Sequence, residues 1–167
     1  MKAVSIPLIK KELQHRSSNE LMELCLRLAR FKKENKELLT YLLFESVDEN
    51  NYIASVKTYI DDEFDAINIK SYFYIRKSVQ KILKNIKKYI RYSKKKETEV
   101  QLLLYFCEKL KNFSPSIKYS TPLQNSYNRQ IALVKKTIET LHEDLQYDYN
   151  LMLEDLHLSN HENNKLN

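Results

Sequence analysis

An all-α fold, built as a helical bundle or short helical-hairpin array of six to seven helices with a long C-terminal helix, follows from three observations. The chain has no glycine and only three prolines. Its apolar residues recur at steps of three and four through most of its length, the period of helices with one buried face. Capping patterns stand where those periodic stretches begin.

The missing glycine bears on function as well as on fold. Favoured hairpin turns need positive φ, which glycine adopts at no steric cost, so β-hairpins are disfavoured. Phosphate-cradling loops, dinucleotide fingerprints and nucleophile elbows all require glycine, and this composition excludes them together.

Taken in order, the elements are as follows. Ser5 and Pro7 open a first helix over about 7–16. Ser17 and Glu20 form a capping box for a second helix, with the stripe Leu21, Leu24, Leu28 and Phe31. A third, over about 35–46, carries Leu38, Leu39, Leu42 and Leu43. The fourth, about 51–66, presents Ile53, Val56, Ile60 and Phe64, and the fifth, about 70–92, Ile75, Val79, Ile82 and Ile86. The sixth covers about 97–112 and includes the longest apolar run, Leu102 to Cys107. Pro115 and the lack of periodicity make 114–121 a loop. Thr121 as cap, Pro122 and Gln124 then start a helix whose stripe reaches Leu156 with one four-four stutter. Unbroken to His157, that helix would be ~54 Å long at ~1.5 Å per residue, more than a domain of this size spans, so it must bend, break or project.

With 43% apolar residues the chain can bury a core without disulfide or metal. A single helical domain over 1–157 is expected, with a possible sub-boundary at the 114–121 loop and a disordered tail over 158–167. Cys25 and Cys107 lie on apolar faces and are expected to be buried, slow-reacting thiols. No secretory signal is read at the start, since Lys10 and Lys11 interrupt the short apolar segment, and no run approaches the ~20 residues of a bilayer span. The expected location is cytoplasmic.

From Lys10 to Glu45 the chain, through LxxLCLRLARFKKEN and ELLTYLLFE, resembles an uncharacterised family of small all-helical bacterial proteins. The resemblance covers the first third, contains no catalytic motif, and implies a helical fold and no activity. Arg27–Phe44 and Arg91–Glu108 also align at an offset of 64, pairing Leu38 and Leu39 with Leu102 and Leu103 and Tyr41 with Tyr105. A duplicated helical hairpin would explain this, and so would chance in a Leu- and Lys-rich chain.

Charge is strongly segregated. Lys70–Lys96 holds eleven Lys or Arg and no Asp or Glu, whereas 45–69 and 137–167 each hold seven acidic residues and one basic. Lys77, Lys81, Lys84, Lys88, Arg91 and Lys95 step by four and three, one stripe roughly opposite the apolar face. Such a stripe is relieved by a phosphate backbone, an anionic membrane surface or an acidic partner, or by the acidic segments of the same fold. Tyr74, Tyr89 and Tyr92 lie near enough to stack on bases, although tyrosines at this spacing usually pack a core.

Glu139/His142 and Glu154/His157 are Glu-x-x-His pairs. On one helix they stand about 22 Å apart, so they could share a metal only across an antiparallel dimer. His157 and His161 have chelating spacing at a fraying end. No metal, cofactor or catalytic residue is therefore assigned. The expected function is that of a non-catalytic interaction protein meeting a protein partner, or itself, through helix faces; the alternative is nucleic-acid binding through the basic stripe. Acidic segments folded against the stripe would favour the first, and acidic segments facing elsewhere the second.

Overall fold

In the computed structural model, which describes residues 2–162, every regular element is helical. Eight α-helices follow one another: α1 (Ile6–Leu13), α2 (Ser18–Phe31), α3 (Lys33–Thr40), α4 (Glu49–Asp65), α5 (Tyr72–Ser93), α6 (Lys96–Lys111), α7 (Thr121–Ile138) and α8 (Glu143–Glu162). A π turn over Tyr41–Glu45 continues α3, and a 3-10 turn, Ile117–Tyr119, sits in the proline-containing segment. No strand occurs among the described residues. The count exceeds the expected six to seven because the long C-terminal helix is two. Of the expected tail, 158–162 belong to α8 and 163–167 lie outside the described residues.

The break between α7 and α8 has a local cause. Thr140 Oγ1 donates to the Thr137 carbonyl at 2.7 Å, and Gln146 Nε2 donates to the Leu141 carbonyl at 2.8 Å. The backbone tightens there, the Thr140 amide donating to the Thr137 carbonyl at 3.0 Å and the Leu141 amide to the Ile138 carbonyl at 2.9 Å, and the two side chains add to these turns where the α-helical bonds stop. The break lies just before the four-four stutter, where an unbroken helix would have rotated its apolar stripe off the core.

The helices form two compact units, Met1–Glu45 and Ser46–Asn167. In the second, α6 is central and packs on α4, α5, α7 and α8. Its sequence explains that place: Val100, Leu102, Leu103, Phe106, Cys107 and Leu110 are all fully buried, and a helix apolar around most of its girth has to be enclosed. The 114–121 segment joins α6 to α7, the most extensively packed pair. Phe64 of α4 closes the core against Phe106 and Phe113, with ring centroids 5.9 and 5.8 Å away. Long-range polar contacts set the directions. Asp61 meets Lys109 at 2.8 Å while Glu49 meets Lys95 at 2.9 Å, so α4 runs the same way as α6. Tyr149 donates to Glu97 at 3.0 Å and Lys111 to the Leu156 carbonyl, so α8 does too.

The first unit is helical with almost no interior. Its capping box forms as expected: Glu20 N donates to Ser17 Oγ at 3.3 Å and Ser17 N to Glu20 Oε2 at 2.8 Å. Asn35 Nδ2 donates to the Leu28 carbonyl at 2.8 Å, tying α3 to the end of α2. Yet among the described residues of this unit Tyr41 is the only buried hydrophobic side chain.

Two details depart from the sequence reading. The cap of α7 is Ser120, not Thr121; Thr121 is the first helical residue, and Gln124 Nε2 reaches back to the Lys118 carbonyl at 2.5 Å. Lys94, closing α5, has φ 59, the left-handed conformation that glycine normally supplies after a helix. A chain without glycine places lysine there at a cost of ~1–2 kcal/mol. The neighbouring turn is held from α4, since Glu49 accepts from the Ser93 and Thr98 hydroxyls and pairs with Lys95.

Candidate interaction surfaces

The basic stripe lies along α5 from Lys77 to Arg91, with Ile75, Val79, Ile82 and Ile86 fully buried on the other side; Lys95, expected on the same helix, falls beyond the left-handed Lys94 as the N-cap of α6. Lys77, Lys81, Lys84, Arg91 and Lys95 are exposed, and Lys88 is half-buried with its ammonium 4.9 Å from the Tyr89 ring centroid. Acidic residues of α4 engage the stripe at two places. Glu63 meets Lys81 at 3.1 Å, a hydrogen bond that holds the Lys81 ammonium above its ordinary pKa, and Glu49 meets Lys95 at 2.9 Å. Among the described residues, Lys77, Lys84 and Arg91 have no carboxylate within ion-pair reach. They stand seven residues apart, so they form one line at intervals of ~10 Å.

The tyrosines divide. Tyr92 is buried, and Tyr89 stacks edge-on with Tyr59 at 5.5 Å, so both serve packing. Tyr74 is 47% exposed and meets Phe73, itself 60% exposed, edge-on at 5.5 Å. Arg76 lies over the Phe73 ring at 5.9 Å. Of this small aromatic and cationic knob at the start of α5, the sequence pointed to Tyr74 alone; Phe73 and Arg76 join it through the ring contacts.

The larger surface is in the first unit. Thirteen large hydrophobic side chains between Val4 and Phe44 are exposed, among them Phe31 at 78% and Leu28 at 59%. Cys25 is exposed as well, contrary to the buried thiol expected; its apolar helix face is real, but little lies over it. Cys107 is buried on α6, where desolvation pushes its thiol up to about 12. Between α1 and α2 runs a groove of ≈ 810 Å³. Leu8, Leu13 and Leu24 give it an apolar lining, and Glu20, Glu23, Arg27 and Arg30 of α2 all border it. Glu20 is taken by its cap and by Arg16 at 3.2 Å. Glu23, Arg27 and Arg30 have no ion pair among the described residues.

A second cavity, ≈ 700 Å³, opens among α4, α6 and α8 of the other unit. Tyr105 and Tyr149 line it, with Glu97, Glu108, Asp148 and Asp155 around them. Burial, with their bonds to Asp61 and Glu97 respectively, pushes both phenols up to about 12. Those bonds are structural ties between helices, and Lys57 covers the Tyr105 ring at 5.2 Å. For metals, no three His, Cys, Asp or Glu side chains converge among the described residues. Glu139 ends α7, His142 sits in the α7–α8 break with Nδ1 3.4 Å from Asp144, and the His157 and His161 side chains lie outside the described residues. Among the described residues, no helix is long and apolar enough to cross a membrane.

No protein-family model, curated protein or solved structure matches this chain.

Proposed function

We propose that this chain is a non-catalytic helical interaction protein, in which a helical bundle (residues 46–162) carries an apolar helical segment (residues 2–45) that docks on a protein partner. The observation that supports it most is the first unit's want of a core. An 8-residue and a 14-residue helix are marginal on their own, because helix nucleation is costly and packing supplies most helical stability. Exposed apolar patches of this extent belong to interfaces. The non-catalytic part rests on the glycine-free sequence and its lack of a nucleophile motif. A photo-crosslinking residue at Phe31, activated in living cells, should give adducts of protein size. Absence of any adduct above that seen with the residue at Asn50, which is exposed in the second unit, would refute the proposal.

Lys77, Lys84 and Arg91 support a second reading, in which the α5 stripe meets a polyanion such as nucleic acid. Three contacted phosphates would give a log–log salt slope of about −2.7 on duplex DNA. Replacing all three with Glu should abolish any binding while leaving helicity unchanged. The pairing of Lys81 and Lys95 with α4 weakens this reading, because only part of the stripe is left for an outside ligand.

A further inference from the structure

We infer that the occupant of the α1–α2 groove is the same segment of a second copy of this chain, lying antiparallel to the first. The inference rests on the interaction reading above and names its partner. Its basis is the order of charge along the groove. Glu20 and Glu23 occupy the first half of α2, and Arg27 and Arg30 the second. At 100° per residue these four positions share one side of the helix, and all four border the groove. A helix with its acids first and its bases second is complementary to itself only when reversed. A parallel pair would set Glu23 against Glu23 and Arg27 against Arg27. An antiparallel pair about a two-fold axis near Cys25 sets Glu23 against Arg27 and Glu20 against Arg30, twice over, as an isologous interface requires.

The apolar groups agree with that register. Reversal about residue 25 carries Phe31 of the second copy over the Asn19 end of α2, where Leu13 lines the groove. Phe31 is the most exposed hydrophobic side chain of α2, and this arrangement covers it and its symmetry mate. Glu23, Arg27 and Arg30, which have no ion pair among the described residues, gain partners of opposite sign at the rim, where complementarity fixes register more than it adds affinity.

The test uses the full chain and two single variants, Glu23→Arg and Arg27→Glu, both at exposed positions outside the Ser17–Glu20 cap. Sedimentation at micromolar concentrations should give the wild type the mass of two 20.0 kDa chains. Each variant alone opposes like charges at both copies of the 23–27 pair and should self-associate about tenfold more weakly. An equimolar mixture of the two restores every pair, since one chain then carries Arg at 23 and 27 and the other Glu at both. That mixture should regain the wild-type mass, which effects confined to one helix would not produce. Circular dichroism checks that each variant keeps its helices. A wild type that stays monomeric to about 100 µM, a dimer indifferent to either variant, or a mixture no tighter than its components overturns the inference. A monomer that still forms Phe31 adducts with some other protein overturns self-pairing alone; a monomer without adducts removes both readings.

Discussion

The two stretches aligned at an offset of 64 have the same residue pattern and opposite surroundings. In the first, α2 gives way through a basic turn to α3; in the second, α5 gives way through a basic turn to α6. Leu102 and Leu103 are fully buried, whereas the aligned Leu38 and Leu39 are half-exposed. The tyrosines reverse the trend, with Tyr41 buried and Tyr105 only half-buried. Both stretches were sorted correctly into helices by periodicity, because a helix face is a property of spacing along one segment. Whether anything lies over that face depends on other segments, and spacing holds no information about them. α6 is covered by α4, α5, α7 and α8, while α2 meets chiefly α3, a helix of only 8 residues.

The thiols should show the contrast most strongly. Cys25, exposed on α2, should in the dissociated chain react with a thiol reagent at the rate of an unfolded control. Cys107, buried and held protonated, should react about a thousandfold or more slowly, at the rate of opening of the core. Comparable native rates at the two sites would mean that α2 and α6 are equally covered.

Truncating a leucine in each stretch gives the next largest difference. Leu103→Ala should cost ~2–5 kcal/mol in urea unfolding, the range for a buried leucine that leaves a cavity. Leu28→Ala, at 59% exposure, should change the stability of the dissociated chain by less than ~0.5 kcal/mol. A large loss from Leu28→Ala would show that α2 has cover within its own chain.

The two turns differ in backbone as well. Lys94 is left-handed at φ 59, but Lys32 is extended at φ −142. Lys94→Gly should therefore raise stability by ~1 kcal/mol, and Lys32→Gly should not, because glycine there only adds freedom to the unfolded chain. Equal effects at both sites would contradict the assigned conformations.

Acid should have the smallest effect. Burial raises the Asp61 carboxyl, but the hydrogen bonds from Lys109 and Tyr105 outweigh it and leave the pKa below its ordinary 3.8. Bonds from Ser17, joined by Arg16, likewise hold Glu20 below its ordinary 4.5. A carboxyl with a depressed folded pKa contributes stability above its ordinary value and loses it as pH falls through the folded one. Both contributions should thus be complete above pH ~5 and fade below pH ~4. Asp61→Asn should flatten the acid limb of whole-chain unfolding, whereas Glu20→Gln should leave that limb unchanged, speed the local exchange of α2 amides and, through loss of the pair with Arg30 of the second copy, weaken self-association.

Much of the fold was legible in the residues. The capping box at Ser17, the apolar faces of α4 and α5, and the girdle of apolar residues on α6 follow from spacing and side-chain chemistry alone. The break at 139–142 was not, because it turns on which carbonyls Thr140 and Gln146 reach. The interaction surfaces were legible only in part. The stripe on α5 could be read as a line, but the bond from Lys81 to Glu63 joins residues 18 apart on two helices and needs their packing to appear. The apolar segment before residue 46 was read as core, since exposed and buried leucines have the same periodicity.

α2 has little cover within its own unit and, by the pairing proposed above, gains it from a second copy. Hydrogen–deuterium exchange across a dilution series tests it directly. At nanomolar concentration α2 amides should exchange orders of magnitude faster than those of α6, and at tens of micromolar they should slow while α6 stays unchanged. Protection of α2 equal to that of α6 at every concentration would contradict the account.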